Sequence, residues 1–294
     1  MSGQLGNLNA VPVGLALARA DPPMNDRWVC GILPADLHEI GNHWRGYFQE
    51  HAYHHDALEM AARSNFFLRV IVQYVSIHRN PVVLHLGSGW TTYPFFFGDD
   101  IHWIEVDHME VAARRRSALE SAYRIAAIPR RNIEVVGVDL SHMHSIVSIL
   151  SQVARRDATP ILVLAEGLSY YLPEEAWLHI EQEISRRKAW LAFDYWARDA
   201  TASPVTKRVW RSVTGRKMSA VSSPSLLSHA CRLGRYTRLD WALGPALAEA
   251  LWPEEVAATH DRWLPEWYVA YTPCPERDPV DSDPSCTLSS QQNG

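Results

Sequence analysis

The chain has no run approaching the roughly eighteen apolar residues of a membrane span. Its first residues, Met1-Ser2-Gly3-Gln4-Leu5-Gly6-Asn7, show no basic segment followed by an apolar one, so neither a membrane span nor export is expected. Cysteine is scarce: Cys30, Cys231, Cys274 and Cys286 lie far apart, without the paired spacing of a zinc site or a disulfide framework. A reducing, cytoplasmic setting fits such usage. Positive charge is not concentrated either. The net charge is −5 and the arginines are scattered, so the electrostatic footprint of a nucleic-acid binder is missing. No His, Cys and carboxylate cluster has metal-ligand spacing, and His51-x-x-His54-His55 reads as part of an exposed helix, so no metal is expected. There is no internal repeat, and the oligomeric state is not legible.

What is present is a large apolar fraction, 47% of 294 residues, enough to bury the core of one large α/β domain. Residues 1–78 are expected to form an N-terminal arm and helical cap. Within them, 1–35 are rich in Gly, Pro and Asn, with one helical turn near Val13–Arg19. From about Asp36 to His78 the apolar residues Leu58, Ala61, Ala62, Leu68, Ile71, Val72 and Val75 recur at helical spacing, until Asn80-Pro81 ends the pattern. Apolar runs then fall at 82–86, 101–106, 133–138, 160–165 and 189–193, separated by helical segments. Such non-alternating runs are strands buried on both faces of a parallel sheet. Residues 196–222, mixed and polar with Trp196 and Trp210, read as an insertion over the carboxyl edge of the sheet. Ser223-Pro224 opens a helix, two further strands follow at Tyr236–Leu243 and Glu266–Thr272, and residues 274–294 read as a disordered tail.

The strand ends carry the chemistry. Gly87-Ser88-Gly89 directly follows the first strand, where glycines let a backbone approach a ligand, although a tight turn would look the same. Asp107, at the end of the second strand, could accept both hydroxyl hydrogens of a ribose; Glu105, on the same strand face, could serve instead. Asp139, after the third strand, is a helix cap or an acceptor for an adenine amine. The fourth strand runs into Ala165-Glu166-Gly167-Leu168-Ser169-Tyr170-Tyr171-Leu172-Pro173-Glu174-Glu175, placing a carboxylate, a glycine and two tyrosines at one edge.

With these residues in view the chain resembles a class I S-adenosylmethionine-dependent methyltransferase of the leucine carboxyl methyltransferase type, a group that includes related polyketide O-methyltransferases. Leu86-Gly87-Ser88-Gly89-Trp90-Thr91-Thr92 is similar to the family's first motif, Glu105-Val106-Asp107-His108 to its acidic pair, Asp139-Leu140 to its Asp-Leu, and 165–175 to its Glu-Gly and Tyr-Leu signature. The resemblance implies a Rossmann-like, seven-stranded, mostly parallel sheet over residues 79–273, with an antiparallel last strand and helices on both faces. Helical caps would come from the N-terminal region and from the segment after strand five. It also implies that Gly87, Ser88 and Gly89 line the methionine end of the cofactor, Asp107 the ribose, Asp139 and Leu140 the adenine, and Glu166 with Gly167 the amino group. An arginine from the helix before the first strand, Arg63 in preference to Arg69, would meet the cofactor carboxylate. Thr91, Tyr93 and Met109 depart from the family pattern, so the acceptor side is expected to be rebuilt.

For methyl transfer, positioning supplies most of the acceleration, and only a neutral acceptor wants a base. Asp194 and Asp199 rank first for that role, ahead of Tyr195 and His108. An aspartate beside a sulfonium would stay ionised. Tyr170, Tyr171, Trp90 and Trp196 either surround the sulfonium or pack the strand ends. The expected activity is methyl transfer to an oxygen, carboxylate or hydroxyl, of a small specialised metabolite. The alternative, implied by relatives of this family, is cyclisation of the cofactor itself to azetidine-2-carboxylate with release of methylthioadenosine, using Asp199, Asp194, Tyr170 and Tyr171. A non-catalytic scaffold is the third reading.

Overall fold

The computed structural model describes residues 10–51, 55–156, 160–169, 171–196, 225–257 and 266–274. Most of the insertion expected at 196–222, together with Tyr170 and Asp199, lies outside the described residues, as does the tail beyond Cys274. Among the described residues no helix is long and apolar enough to cross a membrane.

In chain order come α1 (Ala10–Ala20), α2 (Trp28–Ile32), α3 (Ala35–His51), α4 (Asp56–Ile77), β1 (Val82–Leu86), β2 (His102–Asp107), α5 (Met109–Arg124) and β3 (Ile133–Gly137). They are followed by α6 (Met143–Arg156), β4 (Ile161–Ala165), α7 (Glu174–Arg186), β5 (Trp190–Trp196), α8 (Ser225–Arg232), β6 (Tyr236–Leu243), α9 (Gly244–Leu251), α10 (Pro253–Ala257) and β7 (Glu266–Pro273). The strands form one sheet in the order β3-β2-β1-β4-β5-β7-β6. Neighbours from β3 through β5 pair in parallel, and β7 runs antiparallel to both β5 and β6. The chain winds from β1 outward to β3, then returns to β4 on the other side of β1. That reversal opens a crevice beyond the carboxyl ends of β1 and β4, the place where open α/β sheets bind ligands.

Strands β1 and β4 are buried at every position, which is why their sequences do not alternate. Val82, Leu84 and Leu86 pack with Ile146 and Leu150 of α6 and Trp177 of α7. Val83 faces the other way, into Phe66, Phe67 and Tyr74 of α4. Each such aliphatic side chain contributes about 1.5–3 kcal/mol of burial. By strand alternation His85 lies on the α4 side.

The N-terminal region differs from expectation. In place of one helical turn within an arm, α1 has 11 residues, and its Val13, Ala16 and Leu17 belong to a buried cluster with Val29, Leu37 and Trp90. The glycine and proline content that spoke for an arm has another cause. Pro12 sits in the first turn, where its missing N–H does no harm, and Gly14 lies against Trp44, whose Cε3 is 2.2 Å from where a β-carbon would stand. Likewise, the helical reading of 36–78 resolves into α3 and α4, because the apolar periodicity begins only at Leu58 and His55 leaves helical backbone geometry.

Candidate active site

At the crevice lies a cavity of about 260 Å³. Its lining includes residues from the ends of β1 to β4 and, unexpectedly, Val11, Pro12, Leu15 and Arg19 of α1.

The first wall is the turn after β1. Gly87 and Gly89 take φ of +67° and +53°, a region that only glycine enters freely, and the N–H groups of Gly87 and Ser88 both donate to the Val106 carbonyl, at 2.8 and 3.1 Å. The backbone here is crowded by neighbours: a β-carbon on Gly89 would stand 3.1 Å from Pro12. Asp107 ties this turn to the end of β2, accepting the Gly89 N–H at 2.7 Å on one oxygen and the His108 N–H at 2.7 Å on the other. Burial pushes its carboxyl above the ordinary value, and those two N–H groups offset the rise only in part.

Of the acidic pair on β2, only Asp107 lines the cavity. Glu105 is fully buried and gripped by Arg115 of α5 at 2.9 and 2.7 Å, while Arg115 also donates to the Thr91 carbonyl at 2.7 Å. Asp139 and Leu140 line the far end, beside Val138 and Ser141. The Asp139 carboxylate accepts both the backbone N–H and the hydroxyl of Ser141, at 2.9 and 2.7 Å, which hold its pKa below the ordinary value. It therefore shapes the turn before α6 while also bordering the cavity.

At the end of β4 the site becomes a charge cluster. Glu166 is buried, pairs with Arg19, and accepts the Tyr93 hydroxyl at 2.6 Å. Burial alone would raise the Glu166 pKa, but Arg19, Arg63, His85 and the Tyr93 hydroxyl bring it below the ordinary value, so it is ionised. Gly167, at φ +64°, donates its N–H to both oxygens of Asp194, at 2.8 and 3.0 Å. Asp194 is wholly buried, 3.3 Å from the Arg63 Nε, and is not part of the described lining. Burial pushes its carboxyl well above the ordinary range; Arg63 opposes this, while Glu266 and Glu166 add to it. The expectation of Asp194 as a base facing the acceptor does not match its position: the side chain lies behind the site and braces the Gly167 turn. Arg63 does reach the lining, but its guanidinium is held by Glu266 of β7 at 2.6 and 3.0 Å. Arg69 is turned outward to an exposed pair with Asp240.

Tyr171 and Trp90 line the cavity, whereas Trp196 ends β5 with its indole N–H donating to Glu266 at 3.3 Å. Tyr195 packs against Phe193. Tyr170 and Asp199 lie outside the described residues.

Two titratable lining residues were missed from the sequence. Arg19 is the one charged side chain of the apolar helix α1, and it also donates to the Ser64 hydroxyl at 3.0 Å. His85 is the one polar residue of β1. Each is an isolated polar residue in an apolar run, a signal that was open to notice. Burial, aided by Arg19 and Arg115 and opposed by Glu166, lowers His85 from 6.5 to about 4. A base whose folded pKa is depressed contributes stability above its unfolded pKa and loses it as pH falls toward the folded one. Between pH 7 and pH 5 the protein is therefore expected to lose about 2 kcal/mol through His85. Urea denaturation at both pH values measures this, and His85→Asn should flatten the pH dependence by that amount.

Comparison with known proteins places the geometry. The family described as leucine carboxyl methyltransferase matches residues 34–185. No curated protein matches the chain. Among solved structures, one from Thermobifida fusca, provisionally named a methyltransferase, is similar at 15% identity and a TM-score of 0.55, over 89% of this chain and 98% of that one. A DUF574 family protein from Streptomyces avermitilis is similar at 14% identity and a TM-score of 0.54, over 84% of this chain and 95% of that one. At such identities these likenesses speak for the fold alone. The family match spans more than half of the sequence, so the chain belongs to the leucine carboxyl methyltransferase family and is a class I S-adenosylmethionine-dependent methyltransferase.

Proposed function

We propose that the chain transfers the methyl group of S-adenosylmethionine to an oxygen, a carboxylate before a hydroxyl, of a small organic molecule of specialised metabolism. One observation carries the reading: glycines, Asp107, Asp139 and the Arg19–Glu166 pair converge on one cavity at the reversal of the sheet. When bound, the cofactor supplies an electrophilic methyl group on a cationic sulfur.

In this reading Asp107 accepts the ribose hydroxyls, and Asp139 with Leu140 borders the adenine. Gly87, Ser88 and Gly89 admit the methionine end, where Gly167 shapes the loop. Arg19 takes the place expected of Arg63 as partner of the amino-acid carboxylate, and Glu166 draws the ammonium. The Arg19–Glu166 pair is thus split between the two ends of a zwitterion, which leaves the charge of the site unchanged. Tyr171 offers an aromatic face to the sulfonium. Tyr170 keeps the role proposed from the sequence, a second aromatic wall, and Asp199 that of a base, called on only by a hydroxyl acceptor.

With Asp194 committed to Gly167 and Arg63, an oxygen that is already anionic is the better acceptor, because it needs no proton removed. The family's name, built on a carboxyl acceptor, points the same way.

Incubation of the purified protein with S-adenosylmethionine, alone and with panels of carboxylic acids and phenols, tests the proposal by following the nucleoside products. S-adenosylhomocysteine is expected only when an acceptor is present, with carboxylic acids ahead of phenols. Methylthioadenosine formed without any acceptor would instead mean cyclisation of the cofactor.

A further inference from the structure

The residue that the proposed reaction leaves unexplained is His85. It stands in the middle of an otherwise apolar strand, is 1% exposed, and lines the cavity, yet its Nδ1 has no hydrogen-bond partner among the described residues. Buried polar atoms are nearly always paired, and this one, itself closed off from solvent, is an exception in a ring that lines a ligand cavity. The ring is fixed in place: it stacks on Tyr93 with centroids 5.9 Å apart and planes 11° from parallel, and Tyr93 is in turn bonded to Glu166.

We infer that His85 recognises the α-ammonium group of the bound S-adenosyl compound, accepting a hydrogen bond from it on a neutral imidazole nitrogen. The inference rests on the cofactor reading proposed above. Its chemistry follows from what surrounds the ring. Burial, with Arg19 and Arg115 nearby, strips the imidazole of its second proton at neutral pH, leaving one donor nitrogen and one acceptor. An ammonium group brings three N–H donors, whereas Glu166, its natural counter-ion, keeps the Tyr93 hydroxyl on one oxygen even when Arg19 is drawn away, and cannot meet all three. A second acceptor is needed.

A further carboxylate in that place would be a poor choice. The floor of the site already sets Glu166, Asp194 and Glu266 against Arg19 and Arg63, three acids against two bases. A neutral histidine adds an acceptor without adding charge. A protonated one would repel the ammonium, and its low pKa prevents that state across the physiological range.

Calorimetric titration with two nucleosides isolates the contact, because 5′-methylthioadenosine shares the adenosine and sulfur of S-adenosylhomocysteine but has no amino group. His85→Phe is expected to weaken S-adenosylhomocysteine binding about 10- to 100-fold, the weight of one hydrogen bond to a charged group, and to leave methylthioadenosine binding within about twofold of wild type. His85→Asn, which keeps an acceptor, should hold most of the affinity and guards against a Phe variant that fails to fold. Equal losses for both nucleosides, or none for S-adenosylhomocysteine in either variant, would overturn the inference while leaving the cofactor reading intact. Wild-type protein that binds neither nucleoside would overturn both.

Discussion

Asp107→Ala lowers the affinity for S-adenosylhomocysteine by at least about a hundredfold, since it removes two hydrogen bonds to a charged acceptor, each contributing about 1.5–3 kcal/mol. The loss has a second source. The same carboxylate holds the Gly89 N–H at 2.7 Å, so the glycine turn is released from the end of β2 when the side chain goes. Asp139→Ala is the natural control. Its carboxylate is half exposed and already engaged by Ser141, and a partner that competes with water contributes less, so a loss of about tenfold or smaller is expected. Calorimetry on both variants decides the matter. If Asp107→Ala bound within tenfold of the unaltered protein, the ribose assignment would be wrong.

The largest loss of stability is expected from Arg63→Met. Arg63 neutralises Glu266 and Asp194, both buried, and removing one partner of a buried pair costs about 3–5 kcal/mol because the remaining charge has nowhere to go. Arg69→Met, on the same helix, breaks only the exposed pair with Asp240 and should cost about 0–1 kcal/mol. Urea denaturation of the two variants gives the comparison directly. The sign of the pH dependence adds a check. Asp194 has a folded pKa above its unfolded one, so it contributes stability at pH below the unfolded carboxyl range and loses it as pH rises. Without Arg63 that pKa rises further, and the deficit of Arg63→Met should shrink as the solution is acidified. A deficit that stayed constant from neutral to acid pH would mean that the two carboxylates are not what the arginine stabilises.

The parts of the molecule that were legible in the sequence are those whose cause is local. Five apolar runs gave the parallel strands, because a strand covered on both faces needs no alternation, and a glycine turn or an acid directly after such a run falls at the carboxyl edge. What could not be read is what distant residues decide. Glu105 and Asp107 are equivalent by position, and the choice between them is made by Arg115, a helix away. Asp194 lies near the end of β5, where a catalytic aspartate would, but the Gly167 N–H and the Arg63 guanidinium turn it inward. Arg63 itself looked like a ligand for a carboxylate, and it does meet one, that of Glu266 on the last strand. Arg19 and His85 left local marks, single polar residues within apolar runs, yet a lone polar residue in a buried element has no direction until the tertiary structure gives it one.

Helix α1 joins the inner framework and the ligand chamber in one short segment: Val13 and Leu17 anchor it, while Pro12 and Leu15 border the chamber and Arg19 reaches its polar floor. Trimming the first twenty residues, or fusing a bulky tag close to Ala10, would therefore not be a harmless edit. It would strip one side from the binding chamber and leave Glu166 without its cation, so recombinant preparation should preserve this end of the polypeptide and place affinity handles elsewhere.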